Sequence, residues 1–157
     1  MIEPRIFDRN CAVLHIGAGK CGSSALQSSL SRRPLLGAST FGSPFEYVVV
    51  NRKGGRVRGP EISELARTNR FGYANASGLS GIAKIPGELE KLARGIRDIA
   101  AEGKRPVLSN EAWLGQLPFI RESHLIEQIG GAEVVMYVRP QIAWINSAWW
   151  QWGAWSK

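Results

Sequence analysis

The sequence has few of the residues that bind metals or form disulfides. Its 157 residues include two cysteines and two histidines. Cys11 falls in an apolar run that predicts a buried strand, so the cysteines do not predict a disulfide framework. The His, Cys and Asp residues have none of the spacings typical of metal sites. We therefore expect neither a disulfide-rich secreted domain nor a bound metal.

Long hydrophobic runs are also lacking, and the first residues (MIEPR) do not resemble a signal peptide. We see no internal repeat, low-complexity segment or domain boundary, and we expect one soluble, cytoplasmic domain over residues 1–157. Acidic residues are scarce, since 13 Asp and Glu stand against 20 Lys and Arg and give a net charge of +7. This charge favours anionic partners. Because the basic residues are scattered and no nucleic-acid motif is present, nucleic acid is not the expected partner.

The most informative stretch begins with the apolar run from Cys11 to Ile16. A glycine loop follows, Gly17-Ala-Gly-Lys-Cys-Gly22, and then Ser23-Ser24 and an amphipathic run with Leu26 and Leu30 at helical spacing. This order predicts strand, loop and helix. Loop N–H groups, the helix N-terminus, the serine hydroxyls and the charge of Lys20 all suit a phosphate. A plain connection with a surface lysine is the alternative.

The loop differs from that of nucleoside triphosphatases. The motif G-x-x-x-x-G-K-[ST] places lysine directly after the second glycine. Gly17 and Gly22 have the right spacing, but Ser23 follows Gly22 and the lysine lies two residues before it. The strand at Val134–Val138 also ends without an aspartate for magnesium. Both observations argue against a P-loop kinase.

The rest of the chain alternates strands and helices, which predicts an α/β fold with a parallel sheet. We expect strands over 45–51, 105–109 and 133–138 and a hairpin partner at 56–58. We expect helices over 60–70, 86–102, 118–129 and 140–152, and loops over 35–44 and 71–85. The loop 71–85 is read as an ordinary connection, with lining of an acceptor site as the alternative. The hairpin carries the basic cluster Arg52, Lys53, Arg56 and Arg58. We interpret it as a solvated tip, and binding of an anionic acceptor is the alternative.

A second candidate site follows the strand that ends at Val138. Arg139 stands at the strand end and Ser147 lies eight residues later, about two helical turns along. A strand-end arginine and a hydroxyl on the next helix are able to hold one phosphate together. In isolation, a structural strand-end arginine and an exposed helical serine are the better explanation of the pattern.

Both stretches resemble a known family. The segment HIGAGKCGSSALQ, from His15 to Gln27, resembles the phosphosulfate-binding loop of sulfotransferases that use 3′-phosphoadenosine 5′-phosphosulfate (PAPS). The segment VMYVRPQIAWINS, from Val135 to Ser147, is similar to the second motif of that family, and both look most like bacterial sulfotransferase-like proteins. Cys21 stands where the family has threonine, and the two serines keep the usual hydroxyls.

The resemblance implies a P-loop-type parallel sheet flanked by helices and PAPS as co-substrate, without a metal. It implies that the 3′-phosphate binds Arg139 and Ser147. The phosphosulfate end would bind the loop residues Gly17, Gly19, Lys20, Cys21, Gly22, Ser23 and Ser24. Lys20 would neutralise charge on the leaving oxygen while sulfuryl passes to a hydroxyl or amine of the acceptor, for which the family favours a glycan.

Two residues compete for the role of general base. Glu111 follows a predicted strand, where a carboxylate is able to take the proton of the acceptor; a favourable position at a helix N-terminus is its structural alternative. Some family members use histidine, which makes His15 the rival, although a histidine within an apolar strand is more often a core residue. His124 is expected to be structural.

Family members generally continue beyond the second motif, so we expect this chain to lack the C-terminal part of the family fold. Its last residues are rich in tryptophan: Trp144, Trp149, Trp150, Trp152 and Trp155. Such a cluster is normally covered by further chain, a partner or a second copy. The non-enzyme alternative is therefore a nucleotide-binding or interaction module with the tryptophans as its interface.

Overall fold

The structure is a computed structural model that describes residues 11–17, 19–37, 42–51 and 53–153, with the backbone only for residues 151 and 152. The described strands are β1 (Ala12–Ile16), β2 (Leu35–Leu36), β3 (Phe45–Tyr47), β4 (Val49–Val50), β5 (Arg56–Val57), β6 (Arg105–Asn110) and β7 (Ala132–Val135). The described α-helices are α1 (Ser23–Arg32), α2 (Pro60–Thr68), α3 (Leu79–Ile82), α4 (Glu88–Ala101), α5 (Leu117–Glu122), α6 (Leu125–Gln128) and α7 (Gln141–Ala148). A 3₁₀ helix, Glu111–Gln116, follows β6, and a π-helical turn, Trp149–Gly153, follows α7.

A five-stranded sheet in the order β2-β3-β6-β1-β7 organises the fold. Strand β1 pairs in parallel with β6 on one side and with β7 on the other, so Leu14 lies between Leu108 and Val134. Strand β3 continues the parallel arrangement beside β6, and the short β2 is antiparallel at the edge. The predicted α/β fold with a mostly parallel, helix-flanked sheet is confirmed.

Helices cover both faces of the sheet. Successive strand residues point to opposite sides, and because β1 and β6 carry apolar residues on both sides, both faces carry side chains that need burial. On one face, Leu14 and Leu108 pack in a buried cluster with Ile96 of α4 and Leu125 of α6. On the other face, Val107 packs with residues of α1 and α2, including Leu30 and Ile62. None of the helices in the described part of the chain combines the length and apolar character that a membrane crossing needs.

Several element boundaries differ from the predictions. Leu35–Leu36 form β2 and Leu79–Ile82 form α3, although both were expected to be loop. The run 45–51 divides into β3 and β4, and the expected hairpin is confirmed because β4 pairs with β5. The helix expected over 118–129 is broken at His124, which has a φ of 52° and lies between α5 and α6.

The last two predicted elements are also shorter than expected. Strand β7 ends at Val135, so residues 136–138 extend beyond it. Helix α7 has no buried residue, and Ile142 and Trp149 expose 85% and 59% of their surface. The helix predicted over 140–152 therefore ends earlier than expected and buries no residue against the described part of the protein.

A buried carboxylate connects the sheet to the hairpin and to α4. Glu46 in β3 is buried, and Arg58 donates to it from Nε to Oε1 at 2.6 Å and from Nη2 to Oε2 at 2.8 Å. These hydrogen bonds are the main reason that the pKa of Glu46 is lower than its ordinary 4.5. Arg58 also donates to Glu102, just after α4, and Lys104 lies 3.1 Å from Glu46. Arg58 is thus ion-paired and not part of a solvated tip.

We predict that Arg58→Met lowers the free energy of unfolding by about 3 kcal/mol at pH 7, because the Glu46 charge then remains buried without its main partner. Urea denaturation measures the loss. The control Arg67→Met removes an exposed pair with Glu64 and should cost no more than about 0.5 kcal/mol. Equal losses in the two variants would contradict the prediction.

The same pair predicts a pH dependence. The pKa of Glu46 is lower in the folded than in the unfolded chain. The ionised carboxylate therefore stabilises the fold above about pH 4.5, and this stabilisation is lost as the pH falls through the lower pKa of the folded state. The difference in stability between the wild type and Arg58→Met should therefore shrink below pH 4.5.

Candidate functional site

The glycine loop connects the end of β1 to the start of α1. Gly22 has a φ of 93°, which favours glycine, and its carbonyl accepts the first helical hydrogen bonds from Ala25 and Leu26. Among the described residues, no side chain caps the start of this helix by a hydrogen bond. The N–H groups of its first turn and the positive end of the helix dipole favour an anion.

Two polar atoms are buried without a hydrogen-bond partner among the described residues beneath this loop. They are Ser23 Oγ and His15 Nε2. Both lie beside Gly17, where an added Cβ would stand 2.7 Å from Ser23 Oγ and 3.5 Å from His15 Nε2. Buried polar atoms normally have a partner, so an unpaired hydroxyl at a helix N-terminus fits a ligand oxygen.

A cleft of about 890 Å³ opens in front of the loop. Its lining brings together most of the residues that the sequence singled out: Gly19, Lys20, Gly22, Ser23, Ser24, Glu111, Arg139 and Ser147. Gly17, Cys21 and His15 are not among the lining residues. Cys21 is a partly buried free thiol, and His15 is only 1% exposed.

Helix α7 reaches the loop through a tryptophan. Trp144 Nε1 donates to the carbonyl of Gly19 at 2.8 Å. This contact holds the helix that carries Ser147 beside the loop that carries Lys20. Trp149 and Trp150 are exposed, while the side chain of Trp152 and all of Trp155 lie outside the described residues.

A buried polar chain runs below the cleft. Gln27 Nε2 donates to Ser109 Oγ at 3.1 Å and to Glu111 Oε2 at 3.0 Å. Ser109 Oγ is also 2.8 Å from His15 Nδ1. The two candidate bases therefore belong to one network, but only Glu111 lines the cleft.

The structure adds four lining residues that the sequence reading did not select: Asn69, Phe71, Tyr73 and Asn75. The rings of Phe71 and Tyr73 are stacked with centroids 6.0 Å apart, and Ser24 Oγ donates to the Tyr73 hydroxyl at 3.3 Å. The alternative reading of this segment, as lining of a site, therefore has structural support. The sequence feature that could have identified these four residues is their alternation, since an aromatic or amide residue stands at every second position from 69 to 75.

Burial lowers the pKa of His15 below its ordinary 6.5, and the nearby Glu111 carboxylate opposes this shift. Among the described residues, no group of three or more His, Cys, Asp or Glu side chains is placed to hold a metal ion. The cleft thus offers lysine, arginine, hydroxyl and backbone donors, together with one carboxylate. This set suits a ligand with separate anionic groups and a proton to be removed.

We predict that His15 titrates below 6.5 in the folded protein and that Glu111→Gln lowers its pKa further, since the opposing carboxylate is lost. NMR titration of the imidazole signals measures both values. Glu122→Gln, at the end of α5 and outside the cleft lining, is the control and should leave the signal unchanged. An unshifted His15 in Glu111→Gln would contradict the proximity of the two groups.

The lowered pKa also has a consequence for stability. Protons bind more readily to His15 in the unfolded chain than in the folded protein. The contribution of neutral His15 to the free energy of unfolding is therefore present above pH 6.5 and is lost as the pH falls through the lower pKa of the folded state. This loss should be absent from His15→Gln in urea denaturation between pH 7 and pH 5.

Comparisons with protein-family models, curated proteins and solved structures find no match to this chain. The likeness to PAPS-dependent sulfotransferases therefore rests on the two quoted segments, and the function must be inferred from the chemistry of the cleft.

Proposed function

We propose that the protein is a sulfotransferase that uses PAPS and transfers a sulfuryl group to a hydroxyl or amine of an acceptor. The observation that carries this proposal is the composition of the cleft. It joins Lys20 and the serines of the glycine loop to Arg139 and Ser147, although more than 100 residues separate the two segments.

The described residues fit such a nucleotide. The uncapped start of α1, the unpaired Ser23 hydroxyl and Lys20 form one set of anion donors. Arg139 and Ser147 line the same cleft and form a second set, suited to a second phosphate. Two sets of anion donors in one cleft favour a ligand with phosphates on both its 3′ and 5′ positions over a single phosphate.

When bound, PAPS would supply an activated sulfuryl group, which passes to the acceptor oxygen or nitrogen as the bond from sulfur to the 5′-phosphate oxygen breaks. Lys20 would neutralise the charge that grows on that oxygen. Ser23 and Ser24 would hold the phosphate, so that the chain contributes mainly position and charge. Glu111 would accept the proton of the acceptor.

We assign the base role to Glu111 and not to His15. Glu111 is partly exposed and lines the cleft, whereas His15 is 1% exposed and bonded to Ser109. A general base must reach the proton that it removes. His15 would then support the loop from below.

The order of the strands suggests the direction from which the acceptor enters. Strand β1 lies between β7, which leads to Arg139, and β6, which leads to Glu111. A nucleotide held by Arg139 would extend toward β7. The acceptor would therefore come from the β6 side, where Phe71 and Tyr73 line the cleft. A glycan fits this wall, since aromatic rings offer an apolar face and Asn69 and Asn75 offer amides.

A nucleotide-binding interaction module is the second candidate. The exposed apolar surface of α7 and the preceding segment favours it, with Val138 76% and Ile142 85% exposed. Exposed apolar patches commonly mark contacts with other molecules. In this case a second copy or a partner would cover α7, and turnover would be weak or absent.

We predict that adenosine 3′,5′-bisphosphate binds the protein without magnesium and that Lys20→Ala and Arg139→Ala each raise its Kd by roughly 10- to 100-fold, the worth of a charge-assisted contact. Isothermal titration calorimetry measures the affinity. Lys84→Ala and Arg94→Ala remove exposed cations away from the cleft and serve as matched controls.

Two other results of the titration would favour a different function. Binding that requires magnesium would favour a kinase. A folded wild type that binds no nucleotide would contradict the proposal and leave the interaction module as the better explanation.

A further inference from the structure

Gln27 is a fully buried polar residue, and it has the longest side chain among the buried residues of its helix, which are Ser23, Gln27, Leu30 and Ser31. It lies in α1 and has an exposure of 0%. Its neighbours Leu26 and Leu30 pack in the cluster formed by α1 and α2. A leucine at position 27 would bury no polar atom, so the amide must be explained by its contacts.

The amide nitrogen contacts two residues, and one of them, Glu111, lines the cleft. Nε2 donates one hydrogen bond to Ser109 Oγ at 3.1 Å and one to Glu111 Oε2 at 3.0 Å. Meanwhile Oε1 is buried and has no partner among the described residues. A buried oxygen without a partner lowers the stability of the fold. The amide is therefore better explained by its hydrogen bond to Glu111 than by a contribution to stability.

The hydrogen bond also distinguishes the two carboxylate oxygens of Glu111. Oε2 is held by Gln27, and none of the hydrogen bonds found among the described residues involves Oε1. Ser109 fixes the other hydrogen of the amide, and its own hydroxyl is fixed by His15 at 2.8 Å. The chain from His15 through Ser109 to Gln27 therefore restricts the Glu111 side chain from the protein side.

We propose that Gln27 is a positioning residue that aims the Glu111 carboxylate into the cleft for proton transfer. This inference rests on the proposed sulfotransferase function. It explains why Ser109 of β6 contacts α1 through Gln27 and why His15 and Glu111 share a network while only Glu111 reaches the cleft. Gln27 itself contacts no reacting atom.

The test is the release of adenosine 3′,5′-bisphosphate from saturating PAPS, with water or an added monosaccharide as acceptor. The variants are Gln27→Met, Glu111→Gln and the double variant. Gln116→Met is the control, since Gln116 binds the backbone of Leu79 and Ser80 outside the cleft. Calorimetry with adenosine 3′,5′-bisphosphate and thermal melting accompany each variant.

We expect Glu111→Gln to reduce turnover by about 10²- to 10⁴-fold, the usual worth of a general base. Gln27→Met should reduce turnover by roughly 10-fold or more, because a small misplacement of the base is costly, and should leave the Kd for the nucleotide within about twofold. In the Glu111→Gln background the same change should cost nothing further, because Gln27 acts through Glu111. A purely structural role would lower turnover in both backgrounds.

The other possible results would contradict either the positioning role of Gln27 or the proposed function. If Glu111→Gln reduces turnover and Gln27→Met does not, the positioning role is wrong and the proposed function stands. If the wild type releases no product, the proposed function fails and the positioning role fails with it. If Gln27→Met does not fold, Gln27→Asn replaces it; this variant keeps the amide on a side chain one methylene shorter, which moves it away from Glu111, and unchanged turnover would again exclude positioning.

Discussion

The parallel pairing of β1 with β6 and β7 is the interaction on which the rest of the structure depends. Because parallel strands end at the same edge of a sheet, this pairing places the glycine loop, the 3₁₀ helix with Glu111 and the segment with Arg139 side by side. The hydrophobic clusters on both faces hold the three strands in register. A cleft lined by distant segments follows from this one arrangement.

The same edge of the sheet carries a cost in stability. His15 and Gln27 are buried polar residues, each with one atom that has no partner among the described residues. Natural proteins keep such atoms mainly where a function requires them. Glu46 and Arg58 are the opposite case, since the buried Glu46 carboxylate is satisfied by the partly exposed Arg58 guanidinium, and neither residue lines the cleft. The protein thus uses complete polar pairs for support and incomplete ones near the candidate site.

The exposed apolar helix α7 is consistent with either function discussed above. Trp144 anchors it to the loop through Gly19, while Ile142 and Trp149 remain exposed. In an enzyme this surface would lie beside the nucleotide, and in an interaction module it would form the contact itself. The hydrogen bond of Trp144 therefore links α7 directly to the glycine loop.

The sequence by itself determined the elements whose signal is local. The apolar run before Gly17, the glycines and serines of the loop and the stripe of α4 predicted strand, loop and helix, because backbone preference and side-chain period act within a few residues. It also selected Lys20, Glu111 and Arg139. Only the tertiary structure decided which of these residues meet, that His15 is buried away from the cleft, and that Gln27, Phe71 and Tyr73 belong beside the others. Strand order and burial depend on contacts between residues far apart in the chain, and no local pattern specifies them.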